Sequence, residues 1–159
     1  MTSPTIGPGS PEPLGVTPVE GGVNVAAFAR NASRILFCLF DDKGERETLR
    51  LALPERTGDV HHGLVSGVGI GSRYGLRADG PDDPARGHRY DPAKLLVDPY
   101  AKRLDRAFRY VSELAAPRAA GIDTAPFVPR AIIVADEPRA RRALRACPAG
   151  RAGSRDGAC

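Results

Sequence analysis

Residues 21–40 read GGVNVAAFARNASRILFCLF, and this stretch decides the fold class. After the Gly-Gly pair, Val23, Val25 and Ala27 occupy every second position, which is the period of a β-strand. Residues 34–40 are apolar on both faces, and a run of this length rich in Ile and Phe is typical of a central strand. The two runs therefore predict two strands of a β-sandwich.

The chain on the C-terminal side of this stretch continues with short runs separated by turns. Residues 47–53 (ETLRLAL) place three leucines on one face, residues 60–65 (VHHGLV) form a candidate strand, and residues 73–80 (RYGLRADG) alternate again. Five strands spaced by ~8 to 12 residues predict an all-β sandwich. The 18 glycines and 15 prolines of the 159 residues supply the turns that such a fold needs.

The two ends of the chain differ from this pattern. Residues 1–13 are mostly prolines and small polar residues, so we expect a flexible arm. Residues 137–159 are mostly Ala, Arg and Gly and predict a disordered basic tail. The net charge of +4 lies from residue 130 onward, and the preceding part has 16 basic and 16 acidic side chains. Because phosphate binding needs clustered positive charge, the folded part is not predicted to bind nucleic acid.

Cysteine usage and hydropathy indicate the cellular setting. Cys38, Cys147 and Cys159 are odd in number and contain no C-x-x-C pair, so neither a disulfide framework nor a zinc site is predicted. The first residues lack the charged-then-apolar order of a signal peptide, and no apolar run approaches the ~18 residues of a membrane span. We expect a cytoplasmic protein with no cofactor, no metal and no membrane partner.

Paired acidic residues and histidines could suggest catalysis or metal binding. Asp41-Asp42 and Asp82-Asp83 adjoin Gly or Pro, where aspartate usually bonds its own backbone, so they predict turns. His61 and His62 are adjacent in a predicted strand and point to opposite faces, and His88 keeps no ligand spacing with them. All three histidines are predicted to have a structural or solvent role.

Residues 87–104 read GHRYDPAKLLVDPYAKRL and are neither strand nor helix by pattern. The two Asp-Pro steps prevent a regular element from running through, because proline lacks an N–H and restricts the residue before it. Leu95, Leu96 and Val97 nevertheless form an apolar run between those breaks. We expect an ordered segment that packs against another surface.

These residues also carry a resemblance. PLGVTPVEGGVNVAAFARNASRILFCLFD, followed by HHGLV, RYGLRADGP and GHRYDPAKLLVDPYAKRLD, resembles the N-terminal module of bacterial glycogen-debranching enzymes of the isoamylase type, in the α-amylase superfamily. The resemblance covers roughly Leu14 to Ala135. Its most specific part is the order Gly-His-Arg-Tyr, Asp-Pro-Ala-Lys-Leu-Leu and Asp-Pro-Tyr-Ala.

The resemblance implies an immunoglobulin-like sandwich over residues 14–110, grouped with carbohydrate-binding modules. Residues 111–136 would connect it to a (β/α)₈ barrel that cleaves α-1,6 branch linkages. The catalytic carboxylates belong to the barrel, so no catalytic residue is assigned here and this portion is expected to be inactive. After Glu137 the sequence departs from the family pattern, and a shifted or shortened reading frame would explain the change.

Two sets of site residues follow from the resemblance. The chain has no tryptophan, so candidate rings for stacking an α-glucan such as glycogen or a limit dextrin are Tyr74, Tyr90 and Phe108. A stand-alone α-glucan-binding or interaction module is the alternative function. A clasp onto the barrel would use Arg89, Tyr90, Lys94, Leu95, Leu96, Asp98 and Tyr100. The same segment could instead complete the core of the sandwich, and both interpretations stay open.

Overall fold

The computed structural model describes residues 3–135. The predicted tail over 137–159 lies outside these residues. The strands are β1 Thr5–Gly7, β2 Gly15–Val19, β3 Gly22–Phe28, β4 Arg34–Phe40, β5 Glu47–Ala52, β6 Glu55–Thr57, β7 Val60–Ser66, β8 Arg73–Asp79, β9 Asp82–Asp83, β10 His88–Arg89 and β11 Ala131–Ile132. Short 3-10 turns cover Pro84–Arg86, Ser112–Ala115 and Arg118–Ala120.

Two antiparallel sheets face each other. In the front sheet β3 pairs with β2 on one side and β7 on the other, and the outer edge of β7 pairs with both β1 and β6. The back sheet has the order β11-β8-β4-β5, and β9 pairs with β10 in a separate hairpin. The predicted all-β sandwich is confirmed.

The burial pattern of each strand depends on which of its faces are covered by other parts of the chain. In β5 the leucines are half-buried and Thr48, Arg50 and Ala52 are exposed, as the alternation predicts. Six of the seven residues of β4 are buried, because β4 lies between two cores. The core between the sheets includes Val23, Val25, Ile35, Phe37, Leu39, Val65, Tyr74 and Leu76.

The N-terminal arm predicted at residues 1–13 is not free of regular structure. Thr5–Gly7 pairs with Leu64–Ser66 of β7. Beyond β1, the Asn24 side chain accepts a hydrogen bond from Ser10 N at 2.7 Å and donates one to Ser10 O at 3.0 Å. The buried amide of Asn24 thus fixes a second point of the arm on the front sheet, so residues 5–10 pack as part of the sandwich.

The chain from Tyr90 to Arg130 covers the outer face of the back sheet, and we call residues 90–130 the outer segment. It forms a second apolar cluster made of Leu36, Cys38, Phe40, Leu95, Ala125 and Val128. β11 then returns to the back sheet beside β8. The sandwich therefore extends past residue 110, where the expectation from the resemblance ended it, and includes most of the predicted connector.

Candidate interaction surface

The first part of the outer segment is joined to β8. Leu96 N donates to Leu76 O at 2.7 Å, and Leu76 N donates to Leu96 O at 2.9 Å. Leu95 is buried in the second cluster over Gly75, where an added Cβ would lie 2.7 Å from Leu95 Cδ1. The Leu95 side chain therefore faces the sandwich, whereas Leu96 is 45% exposed.

Asp98 is a buried carboxylate that belongs to the sandwich itself. Its Oδ2 accepts a 2.8 Å hydrogen bond from Tyr74 Oη, and its Oδ1 accepts one of 2.8 Å from Tyr100 N. The Tyr74 ring stacks on Phe37 with centroids 5.4 Å apart. Burial, followed by the charge of Asp98, raises the pKa of the Tyr74 phenol. Since Tyr74 is 2% exposed, it cannot stack on a sugar, and its assignment as a glycan platform is corrected.

The outer segment also contacts β2 of the front sheet. Gly15 has a φ of +98°, and a Cβ there would lie 2.6 Å from Tyr100 Cβ and 3.6 Å from Asp98 Oδ2. Glycine is needed at this position both for its left-handed backbone and for the close approach. The outer segment therefore contacts both sheets.

Arg77 joins two parts of the outer segment, residues 92–93 and Asp123, to the back sheet. Its guanidinium donates to Pro92 O at 3.1 Å, to Ala93 O at 2.7 Å, to Glu47 Oε2 at 2.8 Å and to Asp123 Oδ1 at 2.9 Å. Arg77 is 1% exposed, and a buried cation with this many acceptors is well compensated.

The pKa values of Arg77 and of its two acidic partners are shifted in the directions that favour their charged forms. Burial opposes the shift, but the hydrogen bonds to Asp123 and Glu47 raise the pKa of Arg77. Burial likewise opposes a lower pKa of Glu47, and the hydrogen bonds from Arg50 and Arg77 outweigh it. The pKa of Asp123 is also lowered, because hydrogen bonds from Ala125 N and Arg77 outweigh its burial.

The same two parts of the outer segment are also hydrogen-bonded to each other. Thr124 Oγ1 accepts a hydrogen bond from Leu95 N at 2.9 Å, and Thr124 N donates to Ala93 O at 3.1 Å. Lys94 Nζ donates to Glu113 O at 2.8 Å. Lys94, which the clasp hypothesis placed against a barrel, thus bonds within the outer segment.

Several apolar side chains of the outer segment lie uncovered on its outward side. They are Leu96 (45% exposed), Tyr100 (55%), Leu104 (40%), Phe108 (58%), Tyr110 (71%) and Phe127 (36%). We call these six residues the outward apolar set. Arg89, at the end of the β10 strand, is exposed as well. The proposed clasp therefore divides: Leu95 and Asp98 complete the sandwich, and Leu96, Tyr100 and Arg89 remain largely exposed.

The remaining glycan candidates differ in access. Phe108 presents most of its ring to solvent. Tyr90 is half-buried against the main core, and its ring lies so close to Gly80 that an added Cβ would be 2.9 Å from Tyr90 Cγ. A shallow groove of about 440 Å³ between the arm and the front sheet has no aromatic side chain in its lining. Phe108 is thus the accessible ring among the three predicted ones.

The acidic pairs hold turns. Asp41 Oδ1 accepts a hydrogen bond from Glu45 N at 2.8 Å, and this bond is the main reason that the pKa of Asp41 is lowered. Asp82 and Asp83 pair with Arg89 and His88 in the β9–β10 hairpin. Within residues 3–135, no three His, Cys, Asp or Glu side chains are grouped as metal ligands. No helix in the same range is long and apolar enough to cross a membrane.

His61 and His62 are both 3% exposed. His62 Nε2 lies 2.8 Å from Thr57 Oγ1, and His62 Nδ1 lies 3.5 Å from Glu55 Oε2. His61 Nε2 has no hydrogen-bond partner. Burial, followed by the charge of Arg56, lowers the pKa of His61. His62 thus joins the short strand β6 to β7, and His61 is buried on the opposite face of β7, so both histidines have a structural role.

Two residues of this surface were missed in the sequence. Arg77 alternates with buried positions in β8 and is therefore expected to face solvent, until the outer segment covers it. The signal that could have identified it is Asp123, an acidic residue between the apolar residues Ile122 and Ala125 of the loop that covers the back sheet. Tyr110 lies two positions after Phe108, so the pair Phe-x-Tyr was visible in the sequence.

A comparison with known protein families identifies the family of this chain. Residues 13–101 match carbohydrate-binding module 48, described as the isoamylase N-terminal domain. This chain belongs to the carbohydrate-binding module 48 family. The match ends at Ala101, just after the buried Asp98, so the matched part includes the clasp residues and stops before the cover formed by residues 106–129.

Curated relatives extend the family assignment. The chain is 48% identical over 105 residues to a glycogen debranching enzyme of Klebsiella pneumoniae, covering 66% of this chain and 15% of that protein. It is 38% identical over 133 residues to one of Yersinia pseudotuberculosis, covering 81% of this chain and 20% of that protein. The module thus spans a fifth or less of the length of these relatives. The resemblance to glycogen-debranching enzymes is confirmed.

Solved structures agree on the fold. The pneumococcal glycogen-degrading virulence factor SpuA, in its product complex, aligns with a TM-score of 0.54 at 18% identity, over 77% of this chain and 12% of that one. A Group B Streptococcus pullulanase in complex with maltotetraose aligns with a TM-score of 0.53 at 16% identity, over 77% of this chain and 14% of that one. At these identities the likeness concerns the fold of the module 48 sandwich.

Proposed function

We propose that this chain is the non-catalytic accessory module of a glycogen-debranching glycoside hydrolase that acts on α-1,6 linkages, and that it is inactive alone. The observation that carries the proposal is the 48% identity to the Klebsiella enzyme, which is confined to 15% of that enzyme. The outward apolar set supports it, because exposed apolar side chains on an ordered segment suit a domain interface. Such a role predicts a cytoplasmic location.

Two assays test this proposal. The purified chain incubated with glycogen or a limit dextrin is expected to release no reducing ends, while the full-length Klebsiella enzyme serves as the positive control. Sustained release by the chain alone would contradict the proposed inactivity. In a graft, residues 13–135 replace the matching part of the Klebsiella enzyme, and debranching activity is expected to remain.

The graft also tests the interface. Leu96→Glu with Tyr100→Glu should lower the thermal midpoint of the grafted enzyme, because two charges would enter an apolar contact. The matched control is Val19→Glu with Ile70→Glu, two exposed apolar residues away from the outer segment. Equal effects of the two double variants would argue against an interface at Leu96 and Tyr100.

Direct glucan binding is the second candidate function. It is supported by the carbohydrate-binding family and by the exposed ring of Phe108. Electrophoresis through a glycogen-containing gel tests it, since binding retards migration. Phe108→Ala should abolish the retardation, whereas Phe28→Ala, an equally exposed ring on the front sheet, should not. Unretarded migration of the unmodified chain would count against this function.

A further inference from the structure

Residues 106–129 leave and rejoin the fold at one point. Asp105 N donates to Arg130 O at 2.9 Å, and Arg130 N donates to Asp105 Oδ1 at 2.8 Å. Next to this pair, Ile132 N donates to Arg103 O at 2.9 Å. The ends of the intervening segment are therefore fixed together, as in a large Ω-type loop. We call residues 106–129 the cover loop.

The apolar contacts of the cover loop lie on one side of the back sheet. Leu114, Ala125 and Val128 belong to the cluster that contains Leu36, Cys38 and Phe40. This cluster is separate from the core between the two sheets. Displacement of the cover loop would therefore leave the contacts between the sheets in place.

The polar contacts that hold the cover loop include those of three cations and those of Thr124, which accepts a hydrogen bond from Leu95 N at 2.9 Å and donates one to Ala93 O at 3.1 Å. Arg77 donates to Asp123 Oδ1 at 2.9 Å, and Lys94 Nζ donates to Glu113 O at 2.8 Å. Arg118, within the loop, donates to Gly80 O and to Tyr90 O, both at 3.0 Å.

The two side chains of the Arg77–Asp123 pair differ greatly in exposure to solvent. The Arg77 side chain is 1% exposed, whereas that of Asp123 is 58% exposed. When Asp123 leaves, Arg77 keeps Glu47 Oε2 and the carbonyl oxygens of Pro92 and Ala93 as acceptors. Separation of the pair therefore does not leave a buried cation without partners, which is the usual large cost of breaking a buried ion pair.

We propose that the cover loop opens as a unit while the sandwich stays folded, with the Arg77–Asp123 pair as its latch, and that opening uncovers the Cys38 thiol. Cys38 is fully buried in the closed state and lies in the cluster that the cover loop covers together with Leu95. Local openings of this kind are expected where a segment has few apolar contacts of its own. The reactivity of the Cys38 thiol therefore reports how often the cover loop opens.

Thiol labelling of the full chain carrying Cys147→Ser and Cys159→Ser, in which Cys38 is the remaining thiol, tests the proposal. The rate of reaction with 4,4′-dithiodipyridine is measured at increasing urea and compared with unfolding followed by circular dichroism. We expect labelling at low urea to be faster than global unfolding allows and nearly independent of urea. Labelling that follows global unfolding at every urea concentration would overturn the proposal.

The latch is tested by Asp123→Asn in the same background. Asparagine keeps an oxygen for the 2.9 Å hydrogen bond from Ala125 N and removes the charge. Because Asp123 is largely exposed, we expect a roughly three- to fivefold faster labelling. The urea midpoint should fall by no more than this same factor accounts for, because the pair is absent from both the open and the unfolded states. Asp83→Asn is the matched control, since Asp83 also pairs with an arginine, Arg86, at 3.5 Å. Equal rates in the two variants, or no acceleration by Asp123→Asn, would overturn the assignment of the latch.

Discussion

The phenol of Tyr74 donates a 2.8 Å hydrogen bond to Oδ2 of Asp98, and both residues are buried. Tyr74 lies in the middle of β8, and Asp98 lies in an Asp-Pro turn of the outer segment. A residue that resembled a sugar platform and a residue that resembled a domain clasp are thus partners in one core contact.

Tyr74→Phe is expected to destabilise the fold by about 1.5–3 kcal/mol, because the buried Asp98 carboxylate loses one of its donors. The urea midpoint, followed by circular dichroism, measures the effect. Tyr110→Phe is the control, since Tyr110 is 71% exposed and should change stability by less than ~0.5 kcal/mol. A Tyr74→Phe variant as stable as this control would show that the hydrogen bond contributes little.

Gly22→Ala is expected to destabilise the front sheet by about 2–3 kcal/mol through overpacking. A Cβ on Gly22 would collide with the carbonyl oxygen of Val65 and lie 2.9 Å from Ser66 Cα, so the backbone of β7 would have to move. At Gly69 an added Cβ meets no atom within 4 Å. Thermal unfolding should therefore show a lower midpoint for Gly22→Ala and no decrease for Gly69→Ala; a similar decrease in both would contradict the close approach of β3 and β7.

Stability is expected to fall between about pH 7 and pH 5 because of His61. Its pKa is lowered in the folded chain, so at falling pH the unfolded chain takes up this proton first and is favoured. His61→Gln should reduce the change in urea midpoint over this range, and His88→Gln, in the β9–β10 hairpin, should not. An unchanged pH dependence in His61→Gln would assign the effect to other groups.

The isolated chain is expected to self-associate through the outward apolar set, because exposed large apolar side chains on one segment tend to be buried by association. Leu96→Ser with Tyr100→Ser should lower the average mass in sedimentation without reducing stability, since both residues are exposed. Phe28→Ser with Ile70→Ser is the control for general surface polarity. A strictly monomeric profile of the unmodified chain would contradict this expectation.

The sequence predicted the central strands because their patterns are local. RILFCLF is apolar on both faces, and the structure explains this: Phe37 packs between the sheets, while Cys38 packs under the cover loop. The pattern indicated a fully buried strand and could not say what covers each face. The sandwich was thus predictable, but its second cluster was not.

Pairings between distant residues were the part that could not be predicted. β1 and β6 have three residues each and no apolar alternation, and they exist because the register of β7 offers them backbone partners. Tyr74 was correctly placed in a strand, but a tyrosine suits either a core or a sugar site, and only the position of Asp98 decides between them.

The shared outer edge of β7 protects the protein against intermolecular strand addition. An exposed strand edge offers unpaired amides and carbonyls to another chain, and natural sheets limit this with short or proline-containing edge strands. Here β1 and β6 divide the edge of β7, Pro8 directly follows β1, and Pro54 directly precedes β6. At the opposite edge of the sheet, β2 contains Pro18. Neither edge of the front sheet therefore presents a long continuous template on which fibrils could grow.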